Sequence, residues 1–496
     1  MIRIAITLAV ALFATAAAAQ TVRVKVEGGI VAGSATPSAN VFRNIPYAAA
    51  PVGDLRWAPP KPAKSWRGER DATKNGPSCP QPMMPNDAPN SGGANGPTSE
   101  DCLQLNVFAP PGAIKAPVMV WIHGGGHRTG AGWVYDGTNF ARDGVVLVSI
   151  NYRLGALGYF AHPALIKAGQ PTGNFGLMDQ VAALKWVKRN IKAFGGDPAN
   201  VTVFGESAGG MSTLALLATP SARGLYHKAI VQSGGGWFQP ANLADKERDG
   251  VAALATLGVS EGAKAKALRA LPADKIAGIN GDYGPFTDGV LIRQTPSQAL
   301  VGGGFDDVPL IIGANSGEDS LMGPSPLPAR ALAAVTPALR ILYPREAAKG
   351  DEAVARAAFG DRFMVGPARW VAAQAFTGRP AWLYHFSYVG ARFRPLGVTS
   401  AAHAAEIQYV WEYWGRRTPM SLVSDEDKAM ATLMHACWVA FARAGAPSCG
   451  PNAWPAYDPR EDQLMEFGAV SGVRTRLRKQ PLDAAEAAVL PTLALR

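Results

Sequence analysis

Short apolar runs alternate with longer amphipathic stretches along most of this chain. Residues 118–123, 145–151, 201–204, 229–232, 308–314 and 382–386 are rich in Val, Ile, Leu and aromatic side chains and are bounded by Gly, Asn or Pro. Several are apolar throughout, which predicts strands of a sheet buried on both faces. Between them, Leu177, Val181, Leu184, Ile191 and Phe194 keep helical spacing, as do the stretches 208–217, 329–342 and 425–444. Strand–helix alternation of this kind predicts the α/β class, a large and mostly parallel central sheet covered by helices. Two segments depart from the rhythm. Residues 76–99 are dense in Pro, Gly and Asn and read as a long loop; residues 246–359 are mainly helical and read as an insertion or lobe. There is no internal repeat.

The first nineteen residues stand outside this pattern. Arg3, a mostly apolar stretch over 4–16 and Ala17-Ala18-Ala19 have the layout of a secretory signal peptide, so residues 20–496 are expected to be the exported catalytic chain, secreted or periplasmic. The apolar stretch is shorter than the roughly 20 residues needed to cross a bilayer. No later run reaches that length, so no stable membrane insertion is expected.

Residues 20–496 exceed the roughly 250–300 residues at which one core usually stops growing. With 48% hydrophobic residues, a large core is expected all the same. The formal net charge is +10, but the basic residues are scattered. The densest spots are 185–192, which reads as a solvated helix face, and Arg416-Arg417. Neither resembles a basic tail or an aromatic-lined groove, which argues against a nucleic-acid partner. The cysteines are Cys79, Cys102, Cys437 and Cys449, and an even count in an exported chain favours disulfides. Proximity favours Cys79–Cys102 and Cys437–Cys449, although Cys437 also fits a buried helical thiol.

Candidate chemistry begins with Gly205-Glu206-Ser207-Ala208-Gly209. A G-x-S-x-G match alone is weak, and an ordinary glycine-rich turn is the competing reading. The apolar run before it and the helical pattern after it put Ser207 on a strand-to-helix turn, where a serine is held strained and exposed. His123-Gly124-Gly125-Gly126 follows another predicted strand, and consecutive glycines expose the backbone N–H groups that an oxyanion needs. A phosphate loop is the rival there, but no G-K-[ST] follows. A serine nucleophile also needs a base. Chain order serine–acid–histidine leaves His385, His403 and His435, and the small residues around His403 favour it as an exposed loop histidine. The acid should follow the strand at 308–314, where Glu318 and Asp319 are both available.

Taken together, these residues resemble the type-B carboxylesterases, the carboxylesterase/cholinesterase-like branch of the α/β-hydrolases. The resemblance runs from Phe42-Arg43-Asn44-Ile45-Pro46-Tyr47-Ala48 through Ser99-Glu100-Asp101-Cys102-Leu103, Asn151-Tyr152-Arg153-Leu154-Gly155 and Gly173-Asn174-Phe175-Gly176-Leu177 to the serine pentapeptide. It implies a single α/β-hydrolase domain with helical insertions around an active-site gorge. It implies Ser207, Glu318 and His403 as the catalytic residues, with the acid counted from Gly313 and the histidine followed by Glu406. It implies Gly125, Gly126 and Ala208 as oxyanion donors, a Cys79–Cys102 disulfide, and hydrolysis of small-molecule carboxylic esters through an acyl-enzyme, without metal or cofactor. An amidase, carbamate hydrolase or lactonase of the same fold, or an idle binding relative, are the alternatives. The full set of catalytic residues speaks against the last.

The chain departs from that pattern in places. His127 stands where an aromatic residue is usual, and is a candidate for the substrate pocket. Gly317 and Asp319 flank the acid where Asp and Gly are usual, and Ala404 replaces a glycine after the histidine. The proline-rich loop after Cys79 offers only Met83 and Met84 as sizeable apolar side chains, which predicts soluble short-chain esters over lipid droplets.

Overall fold

The computed structural model describes residues 20–167, 169–237, 241–415, 418–450, 453–493 and 495. The expected signal peptide and Arg416-Arg417 lie outside the described residues. Among those described, thirteen strands join in one sheet. They are β1 (Gln20–Val26), β2 (Gly29–Ala35), β3 (Asn40–Pro46), β4 (Glu69–Asp71), β5 (Gln104–Ala109), β6 (Ala116–Ile122) and β7 (Val146–Ile150), then β8 (Gly196–Glu206), β9 (Lys228–Gln232), β10 (Leu310–Asn315), β11 (Ala381–Phe386), β12 (Gln463–Phe467) and β13 (Gly472–Thr475). The order is β1-β2-β3-β5-β7-β6-β8-β9-β10-β11-β12-β13, with β4 beside β2.

From β7 to β12 every neighbouring pair is parallel. Along the order from β1 to β7 the pairs are antiparallel, β4 alone lies parallel to β2, and β13 closes the far edge antiparallel. All six predicted strands fall in the parallel part. Every residue of β7, β9, β10 and β11 is buried, as a sheet covered on both faces requires.

Each face carries its own core. On one, Leu177, Leu184 and Val187 of the helix Phe175–Asn190 and Leu214 of the helix Ala208–Leu217 pack with Val118, Val120 and Val203 of the sheet. On the other, Met434, Trp438 and Phe441 of the helix Asp425–Ala444 pack with Met119, Trp121 and Phe204. Alternate residues of β6 thus serve opposite cores, as the period of two dictates. The helix Asp425–Ala444 starts at a capping box between Ser424 and Asp427 and stops at Gly445, whose φ of 76° ends it in the left-handed conformation.

The helical run predicted over 329–342 is instead two pieces, Ala329–Leu332 and Pro337–Leu342. Pro337 lacks the N–H that a helix interior needs but is well suited to a first turn. The mainly helical stretch 246–359 contains β10, so its helices lie on both sides of a central strand in sequence.

Cys79–Cys102 and Cys437–Cys449 are both bonded, with Cα separations of 5.0 and 4.8 Å. The Arg153 guanidinium meets the Asp179 carboxylate through two 2.8 Å hydrogen bonds. The two side chains are only 3% and 0% exposed, so this pair fixes the start of the helix Phe175–Asn190 against the end of β7. Removing one partner of such a pair strands a buried charge and typically costs about 3–5 kcal/mol. Among the described residues no helix is long and apolar enough to cross a membrane.

Candidate active site

β8 ends at Glu206, and the chain turns through Ser207 straight into the helix Ala208–Leu217. Ser207 has φ 56° and ψ −124°, a conformation that residues with a side chain seldom adopt. Its N–H donates to the Gln232 carbonyl at 2.9 Å, and its own carbonyl accepts from the Met211 N–H at 2.9 Å. The turn is tight enough to exclude side chains around it. A Cβ on Gly205 would lie 2.5 Å from the Gly209 backbone, and one on Gly209 would lie 2.0 Å from the Ile122 carbonyl oxygen.

The glycine loop leaves the neighbouring strand β6. Gly125, Gly126 and His127 all have positive φ, at 94°, 63° and 54°. The loop is closed by the Gly125 carbonyl, which accepts from the N–H groups of Arg128 and Thr129 at 3.1 and 3.0 Å. Ala208 opens the helix after the serine, where first-turn N–H groups have no acceptor within the helix. Gly124 brings loop and serine together: a Cβ there would lie 2.7 Å from Glu206 Oε2 and 3.1 Å from Ser207 Cβ.

The predicted acid and base also meet. His403 Nδ1 lies 2.5 Å from Glu318 Oε2, and the other carboxylate oxygen of Glu318 accepts from Ser233 Oγ at 2.5 Å and from the Asn315 N–H at 2.8 Å. Glu318 is 1% exposed. Asp319, its rival in sequence, turns away to the Arg356 guanidinium at 3.9 Å. The loops carrying acid and histidine are stitched by backbone bonds: Gly317 N–H donates to the Ala401 carbonyl at 2.7 Å, and His403 N–H to Ser320 Oγ at 2.9 Å. Ala404 adopts φ 64°, so it keeps the left-handed turn that a glycine would make at lower cost.

The other two histidines lie elsewhere. His385 is buried within β11, and burial lowers its proton affinity to about 4. His435 places Nδ1 2.7 Å from the Val410 carbonyl and Nε2 3.1 Å from Asp143. The ligand atoms of Asp143, Glu412 and His435 fall within 4.8 Å of one another, but the Arg142 guanidinium bridges both carboxylates at 2.5 Å, where a metal cation would have to displace it.

Sequence reasoning assigned no part to several groups that complete the site. Glu206 is the foremost. Its Oε1 lies 3.1 Å from His403 Nε2, so the imidazole sits between two carboxylates. Burial works against a charged imidazole here, but the field of Glu206 and the hydrogen bond and charge of Glu318 outweigh it and raise the proton affinity of His403 to about 10. Behind them, Glu406 is fully buried and accepts from Asn315 Nδ2 at 2.6 Å and from Gln232 Nε2 at 3.0 Å. Burial raises its proton affinity, so the neutral acid is favoured relative to an ordinary glutamate. Glu206 was in view beside the serine. Ser233, Gln232 and Asn315 carry no signal beyond standing at or just past the ends of β9 and β10.

His127, the candidate for the substrate pocket, is not among the residues lining the cavity that reaches His403. It is 1% exposed, its Nε2 lies 2.9 Å from Ser212 Oγ, and its ring packs on Tyr159 at 4.8 Å between centroids. The cavity itself has a volume of about 820 Å³ and reaches Gly124, Gly125, Glu206 and His403. Its walls include the aromatic residues Trp133, Tyr135, Tyr388, Phe393, Tyr409 and Trp414, and Arg43 and Arg392 lie among them. Ser91, Gly92 and Gly93 of the loop closed by Cys79–Cys102 form part of its lining.

Comparison with known proteins agrees with this architecture. The carboxylesterase family model matches residues 18–336 and 334–485. The chain is 37% identical to the fumonisin B1 esterase of Sphingopyxis macrogoltabida, over 90% of this chain and 86% of that one. It is 35% identical to the para-nitrobenzyl esterase of Bacillus subtilis, over 88% and 93%. Among solved structures, the Geobacillus stearothermophilus carboxylesterase superposes with a TM-score of 0.80 at 33% identity, covering 94% of this chain and 99% of that one. A para-nitrobenzyl esterase superposes at 0.79 and 31% identity, covering 93% and 99%. With the serine turn, the glycine loop and the paired acid and histidine all set at the ends of neighbouring sheet strands, the chain belongs to the carboxylesterase family: it is a type-B carboxylic-ester hydrolase of the α/β-hydrolase fold.

Proposed function

We propose that Ser207 is the nucleophile of a soluble-ester hydrolase, with His403 as its general base and Glu318 as the group that orients and charges that base. The observation that carries this reading is the His403–Glu318 contact at 2.5 Å, in loops tied to the same sheet edge as the Ser207 turn. Ser207 Oγ attacks the ester carbonyl and its proton passes to His403. The tetrahedral oxyanion rests on the N–H groups of Gly125, Gly126 and Ala208. Collapse expels the alcohol, which takes the proton from His403, and leaves Ser207 acylated. Water then repeats the sequence and releases the acid. Every step uses this chain's own groups.

The roles separate by substitution. Ser207→Ala should fold and lose turnover by several orders of magnitude, as removal of a nucleophile does. Glu318→Gln should lose far more than Asp319→Asn. Labelling of another serine by an organophosphate fluoride, or equal losses at the two acids, would overturn the assignment.

The pH profile follows from the two carboxylates on His403. Their field holds the proton on the imidazole, and the base works only when neutral. The rise of kcat/KM with pH should therefore lie alkaline of an ordinary histidine at about 6.5. Glu206→Gln removes one of the two charges and should move that rise to lower pH. A variant rise at the same or higher pH would contradict this account.

Soluble aryl or short alkyl esters fit the site better than lipid droplets. The Cys79–Cys102 loop is stitched down rather than poised to open: Gln81 Oε1 accepts from Gly130 N–H at 2.7 Å and from Asn90 Nδ2 at 2.8 Å, and Gln81 Nε2 donates to the Gly130 carbonyl at 2.8 Å. Met84 is its exposed apolar side chain, at 53%. Burying Met83 and Met84 at an interface would gain roughly 3–6 kcal/mol at most, before the cost of ordering the loop. Rate measured against triglyceride concentration should saturate smoothly through the solubility limit; a jump when droplets form would refute the preference.

We also propose that the chain is exported, because an apolar leader and two disulfides suit an oxidising compartment. Mass spectrometry of protein from the native host should find an N-terminus near Gln20 and no free thiol. An intact Met1 with reduced cysteines would count against export.

A further inference from the structure

The hydrolytic scheme gives no role to His127, yet the residue is fixed on several sides. Its carbonyl accepts the Gly155 N–H at 2.7 Å, and its Nε2 lies 2.9 Å from Ser212 Oγ. Gln180 Nε2 donates to the same hydroxyl at 3.0 Å. The ring lies against the backbone of Gly284, where a Cβ would come within 3.1 Å of Nδ1. Ser212, fully buried, sits one turn into the helix that begins at Ala208.

The three oxyanion donors come from two separate pieces of chain. Gly125 and Gly126 belong to the loop after β6, and Ala208 belongs to the helix after β8. Such donors act only if they converge on one point, and a misplacement of about 1 Å can lower the rate roughly a hundredfold. His127 directly follows the two loop donors, and its ring reaches the helix that holds the third. We infer that His127 is a positioning residue of the oxyanion hole, whose hydrogen bond to Ser212 ties the glycine loop to the nucleophile helix and sets the separation between their donors. This rests on the proposed roles of Gly125, Gly126 and Ala208.

Burial keeps the ring in its neutral form and pulls its proton affinity down to about 4, with backbone hydrogen bonds at Tyr283 and Ala208 offsetting only part. A neutral imidazole has one N–H and one bare nitrogen, so it can either donate to the Ser212 hydroxyl or accept from it. Phenylalanine fills nearly the same space and can do neither.

The test is a double-mutant cycle on the full chain with His127→Phe and Ser212→Ala. Each single change should lower kcat roughly tenfold with little change in KM, the signature of donors displaced from the transition state. Binding of a trifluoromethyl ketone transition-state analogue should weaken by the same factor as kcat/KM. The double variant should be no worse than either single one, because both remove the same tie. His127→Gln, which keeps a group able to hydrogen-bond the hydroxyl, should recover part of the loss. If His127→Phe fails to fold, Ser212→Ala and its analogue affinity carry the test. Unchanged kcat and analogue affinity with only a lowered melting temperature would mean that the ring merely packs. Additive losses would mean that the two residues act apart. Either result overturns the inference while leaving the nucleophile assignment, tested separately by Ser207→Ala, untouched.

Discussion

The left-handed serine between β8 and its helix is the constraint around which the rest of the site is arranged. A side chain held in this region costs on the order of 1–3 kcal/mol, and it persists only where the surroundings over-determine it. Here they do. β8 lies between β6 and β9 in the parallel middle of the sheet, with a packed core on each face. The Ser207 N–H is taken by Gln232 at the end of β9, and Gly209 packs on the carbonyl of Ile122 at the end of β6. The conformation that presents the hydroxyl therefore cannot relax without moving three neighbouring strands. The same three strand ends, with β10 beside them, deliver the glycine loop, Ser233 and the acid. Parallel strands end at one edge, so groups far apart in sequence converge there.

Electrostatics at that edge favour charge on the histidine. Glu206 and Glu318 both face His403, and Glu318 is held as an acceptor by Ser233 and the Asn315 backbone. A third buried carboxyl, Glu406, lies behind them, and burial favours its neutral form. Its field adds to that of Glu206 and Glu318 in holding the proton on His403. In the proposed reaction the imidazolium is the species formed as Ser207 attacks, so the arrangement would stabilise the charge that develops. Its cost is a base that holds its proton more firmly at rest.

What could be read from sequence follows from how each part is buried. The central strands were legible because parallel strands covered on both faces are continuously apolar. The antiparallel strands β1 to β3 were not, because they are partly exposed: β1 buries only its last residue, and its alternation is too short to separate from a loop. Chain order and spacing pointed to Ser207 and His403, and the structure brings His403 against Glu318, while residues alone could not separate Glu318 from Asp319. Adjacent carboxylates differ only in direction, which the backbone decides: one enters the interior, the other meets Arg356. Ser233, Asn315 and Gln232 are ordinary polar residues near strand ends. Their importance arises from register between strands, which no local pattern encodes.

The departures from the family pattern differ in consequence, and the structure shows why. Ala404 adopts the φ that a glycine would, so the turn survives at a small conformational cost. Asp319 is drawn outward by a cation from the helix Asp351–Gly360 and leaves the carboxylate beside it undisturbed. Each of these is absorbed within its own loop. His127 is different because it connects two elements. Glycine loops have neither the period of a helix nor that of a strand, so sequence could identify the residue as unusual without giving its direction. The positive φ at Gly125, Gly126 and His127 turns the backbone so that the third side chain passes behind the loop toward Ser212. The backbone geometry of the proposed oxyanion loop is thus the same geometry that sends the imidazole inward. In the proposed positioning role, a change at His127 acts from behind the reacting atoms.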